Sequence, residues 1–389
     1  MQQVPAIKKA KEIGLRTVLI DYLPDNPGKD VADVWYQEST TDVNAVYKIA
    51  KTEKADGILA YASDPAALPA AIVAERLGIP TNPSKSVEIL GVKHKFREFL
   101  KKHNFACPQT VLIYKDMDKA DILSGINSLE FPIVIKPTDS SGSKGVSFLN
   151  DASEIEAAIE YAAQYSRNNI LIAEEFIKRG YPHIIGGDIL VVDGQIRLFG
   201  DMDCLRDNDG DGLVPIGKKK PNALNISQRE ALYAELQRLI TSLEIRNGEM
   251  NIEVIIDKND HPHFLEVGPR AGGNMIPIQL SDAYGIDLIE ANIKMAMGDS
   301  IDLQPKEQPG CYMHYVLHSY KDGIFEGIEY SDKIEQYIYR KVVYKHKGDR
   351  IEYFDGAGKA IGIIFFRFPT VEIMNDFCTH HSDYVKILL

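Results

Sequence analysis

The sequence predicts a mixed fold in which an α/β segment with a parallel sheet is followed by α+β segments. Residues 1–90 alternate helical and strand patterns, which is typical of a parallel sheet covered by helices. Later, strand-like runs are joined by turn residues, as at Asp193-Gly194, and this pattern indicates antiparallel hairpins. The length of 389 residues allows two or three compact domains.

Local patterns predict the individual elements. The helices are expected where apolar residues recur every three or four positions, at 4–13, 43–51, 66–77 and 227–242. The strands are expected in short apolar runs, at 17–21, 57–61, 133–136, 145–149 and in a hairpin over 184–201. Ser227 is expected to cap the last helix, with Glu230 completing a capping box.

Proline and glycine clusters divide the chain. The sequences GIPTNP at 78–83 and FACP at 105–108 are typical of connections between elements. We therefore predict an N-terminal α/β domain over 1–90, a central region over 91–300 and a C-terminal α+β subdomain over 301–389. Within the central region we expect one lobe at 105–180 and a second at 181–300.

Two carboxylates stand on adjacent strand-like runs, Glu253 in NIEVII and Glu266 in HFLEV. Because strand side chains alternate between faces, these two can meet across an antiparallel pair. Like charges at that distance are tolerated when a divalent cation bridges them, and Mg²⁺ is commonly held by carboxylates together with phosphates. Arg270 follows in GPRAGGN and offers paired donors to phosphate or carboxylate oxygens. A hairpin with two solvated acids explains the same pattern.

A loop of small residues follows the predicted strand 133–136, in the sequence KPTDSSGSKG. Such a loop can approach a ligand closely and turn its amides toward an anion. Lys136 and Lys144 flank it with positive charge. The Walker spacing is absent, and a flexible hairpin turn remains an alternative.

The order of these motifs resembles the ATP-grasp superfamily of carboxylate ligases, in particular single-chain L-amino acid ligases and biotin-carboxylase-like enzymes. The resemblance spans most of the chain and implies an ATP-grasp fold, in which a parallel-sheet domain precedes two α+β lobes that enclose ATP. It implies that lobe 105–180 carries the glycine-rich loop, lobe 181–300 binds metal, and the C-terminal segment is an appendage.

The resemblance also implies roles for single residues. Arg270 and Lys136 would be catalytic, and Glu253 and Glu266 would bind the metal. The residues implied in nucleotide binding are Lys93, Lys136, Ser140, Ser141, Gly142, Ser143 and Lys144 around the phosphates, and Glu174, Glu175, Phe176 and Ile177 in the adenine-binding linker.

The activity implied by the resemblance is an ATP-dependent ligation of a small-molecule carboxylate to an amine through an acyl phosphate, with Mg²⁺ or Mn²⁺ as cofactor. Alternatives are a biotin-carboxylase-like or carbamoyl-phosphate-type enzyme, although no biotin-acceptor AMKM sequence and no internal repeat is found. A nucleotide-binding subunit without turnover is a third alternative.

Two features depart from the family pattern. Many members carry Asn two residues after the second metal acid, where this chain has Gly268. The family's first domain also begins with a strand and a glycine-rich turn, whereas this chain opens on a helical pattern. We therefore expect the first strand to be missing, and whether the N-terminus is truncated stays open.

Composition narrows the class of partner. A net charge of -12 argues against nucleic acid, which requires a concentrated basic face. No apolar run approaches the length needed to cross a bilayer, and four separated cysteines without CxxC suggest neither zinc nor disulfides. We expect a cytoplasmic enzyme. Its oligomeric state stays open, with a homodimer as one candidate.

Four further features are expected to be structural. Ser63 or Asp64 is expected to cap the following helix. The lysines 218–220 are expected to lie in a solvated loop, with a patch that binds an anionic substrate as the alternative. They belong to a long segment, 205–225, that is either a lid or a surface insertion. His314 and His318 are expected to be ordinary core or surface residues.

Overall fold

The computed structural model describes residues 2–140, 144–207 and 214–389. Its helices are α1 Val4–Glu12, α2 Val43–Glu53, α3 Asp64–Leu77, α4 Ser84–Gly91, α5 Lys93–Lys102, α6 Lys119–Ile126, α7 Ile155–Ala163, α8 Ile226–Ser242, α9 Ile276–Tyr284, α10 Leu288–Met297, α11 Asp332–Glu335 and α12 Val371–Tyr384. None of these helices has the length and apolar character required for a membrane span.

The strands are β1 Val18–Ile20, β2 Val34–Tyr36, β3 Thr110–Tyr114, β4 Ile133–Pro137, β5 Ser147–Leu149, β6 Ile170–Glu175, β7 Ile184–Val192, β8 Gln195–Arg206, β9 Pro215–Lys220, β10 Gly248–Ile256, β11 Pro262–Gly268, β12 Cys311–Leu317, β13 Gly323–Ile324, β14 Gly327–Tyr330, β15 Ile338–Val343, β16 Arg350–Ile351, β17 Gly362–Phe368 and β18 Val385–Leu388.

An antiparallel sheet in the order β11-β10-β7-β8-β9-β12-β17-β15 forms the centre of the molecule. The hairpin predicted at Asp193-Gly194 joins β7 and β8. Strands from the C-terminal segment, β12, β17 and β15, continue the same sheet. Because the sheet runs across the expected boundary near residue 300, the division into domains stays a prediction.

Both faces of this sheet are covered by helices. On one face, Leu232, Leu236 and Leu239 of α8 pack on a core that includes Ile185 and Ile252. Alternate residues of the same strands point the other way. There, side chains such as Leu190 and Met202 pack on α9 and α10. The acids of the candidate site lie on this second face, because Glu253 pairs with Gly186, which pairs with Met202.

A four-stranded antiparallel sheet in the order β3-β6-β4-β5 forms a separate lobe. Ile133 and Ile135 of β4 and Ala173 of β6 are completely buried against α6 and α7. The predicted strand before the glycine-rich loop is therefore present, and the loop leaves this lobe at the end of β4.

The N-terminal part contains α1, α2 and α3 beside a parallel pair of strands, β1 and β2. The parallel pairing was expected, but β2 was not. The strand expected at 57–61 is wrong, since these residues form no strand. Instead Tyr61 packs on Ile289 and Ile293 of α10. An apolar run of this length can be buried by a helix as readily as by strand neighbours.

The segment 205–225 differs most from expectation. It contains β9, which lies between β8 and β12 near the middle of the large sheet. Lys218 and Lys219 are only 5% and 8% exposed, so the prediction of a solvated lysine loop is wrong. The run of three lysines did not indicate a strand, because the local sequence does not show which residues will bury their side chains. Residues 208–213 lie outside the described residues.

The cap of α8 also differs. Asn225 accepts a hydrogen bond from the amide of Gln228 at 2.9 Å, and the Gln228 side chain accepts one from the amide of Asn225 at 3.0 Å. This is a capping box. The prediction of Ser227 and Glu230 is therefore wrong by two positions, although the helix itself is confirmed.

We expect Asn225→Ala to lower the free energy of unfolding by about 1 kcal/mol, because it leaves an N-terminal amide of α8 unpaired. Ser227→Ala, two residues away and also exposed, should change it by less than about 0.5 kcal/mol. Urea unfolding of both variants checks this. Equal losses in the two variants would contradict the assigned cap.

Candidate active site

The two predicted metal acids meet in the structure. Glu253 of β10 and Glu266 of β11 are directly opposite in the antiparallel register, with a bulge immediately after Glu253. Directly opposed side chains lie on the same face about 4.5–5.5 Å apart at Cβ. The side chain of Glu266 is 34% exposed, and Glu253 is half-buried.

Lys93 connects this acid pair to the glycine-rich loop. Its ammonium lies 3.4 Å from the Glu266 carboxylate and donates to the Ser140 carbonyl at 2.8 Å. Its own amide donates to the carbonyl of Thr138 at 2.9 Å. Because Lys93 begins α5, this helix fixes the base of the loop next to the acids.

Lys136 lies in a buried ionic triad. Its ammonium pairs with one oxygen of the Glu174 carboxylate, and the Arg97 guanidinium donates to the other oxygen at 2.7 Å. Arg97 also donates to the carbonyls of Phe264 and Leu265 in β11. The triad therefore links the four-stranded lobe to the strand that carries Glu266.

The electrostatics of the triad favour a charged Glu174. Burial by itself would raise the pKa of this carboxyl, but Arg97 and Lys136 outweigh burial and lower the pKa to about 2. Removing any one member of a buried ionic group leaves a partner charge without compensation, which is costly.

The expected adenine-binding linker is placed at the end of β6. Glu174 contributes its side chain to the triad, a role that sequence analysis did not identify. The amides of Glu175 and Phe176 donate to the carbonyls of Gln109 and Pro132. The ring of Phe176 packs edge-to-face on Phe148 at 5.0 Å between centroids.

The ends of the glycine-rich loop are held together. Ser140 donates from its hydroxyl to the Lys144 carbonyl at 2.9 Å. Gly145 has a φ of +73°, and a Cβ there would approach the Pro137 ring within 2.9 Å, so only glycine fits comfortably. Ser141, Gly142 and Ser143 lie outside the described residues.

Arg270 is folded back against Gly268 and held by Asp64. The guanidinium donates twice to the Asp64 carboxylate, each time at 2.7 Å. A Cβ at Gly268 would meet the Arg270 guanidinium carbon at 3.2 Å, so glycine gives the arginine room. The expectation that Ser63 or Asp64 caps α3 through its side chain is wrong, since no such hydrogen bond forms.

A buried carboxyl pair anchors the loop after β11. Asp188 accepts hydrogen bonds from Asn251 at 2.7 Å and from the amide of Gly272 at 2.8 Å. Burial and the neighbouring Asp188 raise the pKa of Glu249 well above its usual range. Sequence analysis missed this pair, although a charged residue inside the apolar run IIGGDILVV was the available signal.

A cavity of about 250 Å³ opens beside Arg270. It lies between the N-terminal part and the large sheet, and its polar lining includes Thr81, Asn82, Glu249 and Asn292. The side chains that close it come from segments far apart in sequence, which explains why no local motif revealed it.

Among residues 2–140, 144–207 and 214–389, no group of three or more His, Cys, Asp or Glu side chains could by itself hold a metal ion. The opposed acids therefore offer two carboxylate ligands. Hard carboxylate oxygens of this kind fit Mg²⁺, which usually completes its shell with phosphate oxygens and water.

The family model described as "Carbamoyl-phosphate synthase L chain, ATP binding domain" matches residues 92–304. The chain belongs to the ATP-grasp superfamily. This range includes every residue of the site described above except Asp64 and Thr81–Asn82, which the N-terminal part contributes. The resemblance stated from the motifs is thus confirmed at the level of the family.

Among similar proteins, the N-terminal section of the carbamoyl phosphate synthase large chain of Methanopyrus kandleri is 22% identical over 317 residues, 76% of this chain and 53% of the relative. The large chain from Clostridium botulinum is 22% identical over 312 residues, 77% of this chain and 27% of the relative. The chain thus spans about half or less of the length of these relatives.

Solved structures confirm the ATP-grasp fold. An L-amino acid ligase from Bacillus licheniformis superimposes with a TM-score of 0.82 at 20% identity, covering 100% of this chain and 96% of that one. The biotin carboxylase domain of 2-oxoglutarate carboxylase from Hydrogenobacter thermophilus, determined with MgADP and bicarbonate, gives 0.76 at 18% identity, covering 100% and 88%. At these identities the likeness concerns the fold alone.

We expect Glu174→Gln to lower the free energy of unfolding at pH 7 by about 3–5 kcal/mol, because it leaves Lys136 and Arg97 buried without a counter-charge. The pKa of Glu174 is depressed from 4.5 to about 2. Its stabilisation is therefore present above pH 4.5 and lost as the pH falls toward 2. Urea unfolding at pH 7 and at lower pH should show the gap between wild type and variant narrowing.

Glu175→Gln is the matched control. The Glu175 carboxylate accepts a hydrogen bond from the amide of Glu130 at 3.0 Å, which a glutamine oxygen can also accept. The loss should stay below about 1 kcal/mol. A loss as large as that of the neighbouring variant would show that the triad is not the source of the effect.

Proposed function

We propose that this ATP-grasp chain is an ATP-dependent ligase that joins a small carboxylate to an amine through an acyl phosphate. The observation that carries the proposal is the position of Lys93. It contacts a metal-type acid on one lobe and the base of the glycine-rich loop on the other. A triphosphate between the lobes would therefore meet acids, lysine and loop together.

In this proposal the two lysines neutralise the phosphates of ATP. Lys93 lies next to the acid pair, and Lys136 is ion-paired with Glu174 where the loop begins. Ser140–Lys144 would cover the phosphates and exclude water, which protects an acyl phosphate from hydrolysis. The base would lie against the linker Glu174–Ile177, where Phe176 offers an apolar surface.

Glu253 and Glu266 would hold Mg²⁺, or Mn²⁺ in its place. When bound, the metal supplies charge neutralisation at the phosphate oxygens. The residues fit this role, because the acids are directly opposed and the adjacent lysine compensates only one of them. Gly268 provides no side-chain ligand, so water and phosphate would complete the shell.

The remaining chemistry is positioning and charge stabilisation, since phosphoryl transfer leaves little covalent work to side chains. A carboxylate oxygen of the substrate attacks the γ-phosphorus, and the bond to the bridging oxygen breaks as ADP leaves. The amine then attacks the acyl carbon, the bond from that carbon to the phosphate oxygen breaks, and inorganic phosphate departs with the proton that the amine loses. Arg270 would stabilise the acyl phosphate, with Asp64 as a positioning residue that holds its guanidinium.

The direct test is a phosphate-release screen of carboxylates paired with amines in the presence of Mg-ATP. We expect release that depends on one acid and one amine together. Bicarbonate belongs among the acids, because the solved neighbour from Hydrogenobacter thermophilus was determined in complex with bicarbonate. Release with bicarbonate alone would favour a carboxylase-like or carbamoyl-phosphate-type reaction. No release above a Glu253→Gln, Glu266→Gln double variant would refute turnover.

The single variants Glu253→Gln and Glu266→Gln should each reduce turnover by about a hundredfold or more, because each removes one electrostatic stabiliser of the transition state. The ligand-free melting temperature of Glu253→Gln should be at or above that of wild type, since a like-charge repulsion is removed. That of Glu266→Gln should change little, because the lost ion pair with Lys93 offsets this gain. Glu235→Gln, on the surface of α8, is the control. Near-normal turnover of either site variant would contradict the metal assignment.

A further inference from the structure

Lys218 is a buried cation whose ammonium has no hydrogen-bond partner among the residues that the structure describes. The residue is 5% exposed, and its Nζ makes no hydrogen bond within the described part of the chain. Burying an unpaired charge costs several kcal/mol. Such a group therefore requires a compensating anion nearby, either an acid of the chain or a bound ligand.

The ammonium points along the face that carries the acids. Lys218 pairs with Cys204 and with His314 across its two strand neighbours, and its side chain extends over Gly186 of β7. A Cβ at Gly186 would collide with the Lys218 Nζ. Since Gly186 pairs directly with Glu253, the missing Cβ leaves the ammonium space beside the proposed metal site.

A neutral histidine lies next to this ammonium. Gln279 donates its amide hydrogens to the carbonyls of Lys218 and Tyr312, so its oxygen must accept from Nδ1 of His314. Burial and the nearby Lys218 lower the pKa of His314 to about 3. Its buried Nε2, which has no partner within the described residues, therefore presents a lone pair on the same face.

The neighbouring lysines show that partners are available in this strand. Lys219 faces the opposite side, where it bonds Asn375 at 2.8 Å and lies 3.9 Å from Asp203. Lys220 pairs with Glu307 at 3.1 Å and lies over the Tyr284 ring. Of the three β9 lysines, Lys218, next to the acid pair, is the one without a hydrogen-bond acceptor in the described ranges 2–140, 144–207 and 214–389.

We propose that Lys218 binds the carboxylate of the acid substrate. This inference rests on the proposed function and adds to it a residue outside the set implied by the family motifs. The ammonium donates to one carboxylate oxygen, and the second oxygen attacks the γ-phosphorus as described above. No proton is transferred in this step. The ligand class is a small carboxylate, with a hydrogen-bond donor facing His314.

The test compares Lys218→Met with Lys220→Met, a lysine of the same strand and face that has its own partners. The assays use the acid found in the phosphate-release screen. We expect Lys218→Met to raise the KM for this acid about tenfold or more, because one charge-assisted hydrogen bond is lost. The KM for ATP should stay within about twofold. Lys220→Met should change neither constant by more than that factor.

A second measurement does not depend on turnover. In the ligand-free protein, Lys218→Met should raise the melting temperature by about 2 °C, because an apolar side chain replaces an unpaired buried charge. Lys219→Met should lower it, since it leaves Asp203 less well compensated. This difference distinguishes a site kept for a ligand from a lysine kept for folding.

Each outcome either supports or contradicts the assignment of Lys218 to the carboxylate of the acid substrate. An unchanged KM for the acid would overturn the assignment, and a larger rise in the KM for ATP would move Lys218 to the nucleotide site. A lower melting temperature for Lys218→Met would show a structural role.

If no acid supports phosphate release, the ligase proposal fails separately. In that case, calorimetry measures the binding of carboxylates in the presence of MgADP. Binding to wild type that is lost in Lys218→Met would support the carboxylate site, and no binding to wild type would refute it.

Discussion

The direct opposition of Glu253 and Glu266 is the constraint on which the rest of the site depends. Antiparallel register places two carboxylates on one face at a distance where they repel. Lys93 forms an ion pair with Glu266 and also donates a hydrogen bond to the loop of the other lobe. A cationic ligand is therefore favoured where the two lobes face each other.

The buried triad of Arg97, Lys136 and Glu174 also connects the two lobes, further inside the protein. Arg97 bonds both Glu174 and the backbone of β11, so the lobe with the glycine-rich loop cannot shift without disturbing the strand that carries an acid. Interactions of this kind contribute little net stability. Their effect is to specify one relative position of charged groups.

The second face of the large sheet combines a common scaffold with residues particular to this chain. Gly268 allows Arg270 to fold onto Asp64, which brings the N-terminal part to the site. Gly186 similarly clears space for Lys218. Both glycines lack a Cβ, and in each case a cationic side chain occupies the free space beside the acid pair. Chemistry on this scaffold is thus adjusted by strand residues whose side chains point to one face.

The sequence by itself predicted most of the helices, the opposed acid pair and the strand that precedes the glycine-rich loop, because these depend on strand period and on motifs contained within short segments. The roles of the two lysines beside that loop stay predictions. The family resemblance rests on the order of such segments. Tertiary structure alone decided the partners of Glu174, Arg270 and Asp188, and it turned an apparent lysine loop into the buried strand β9. Those outcomes depend on contacts between residues far apart in the chain, and no local pattern records which charge will meet which partner.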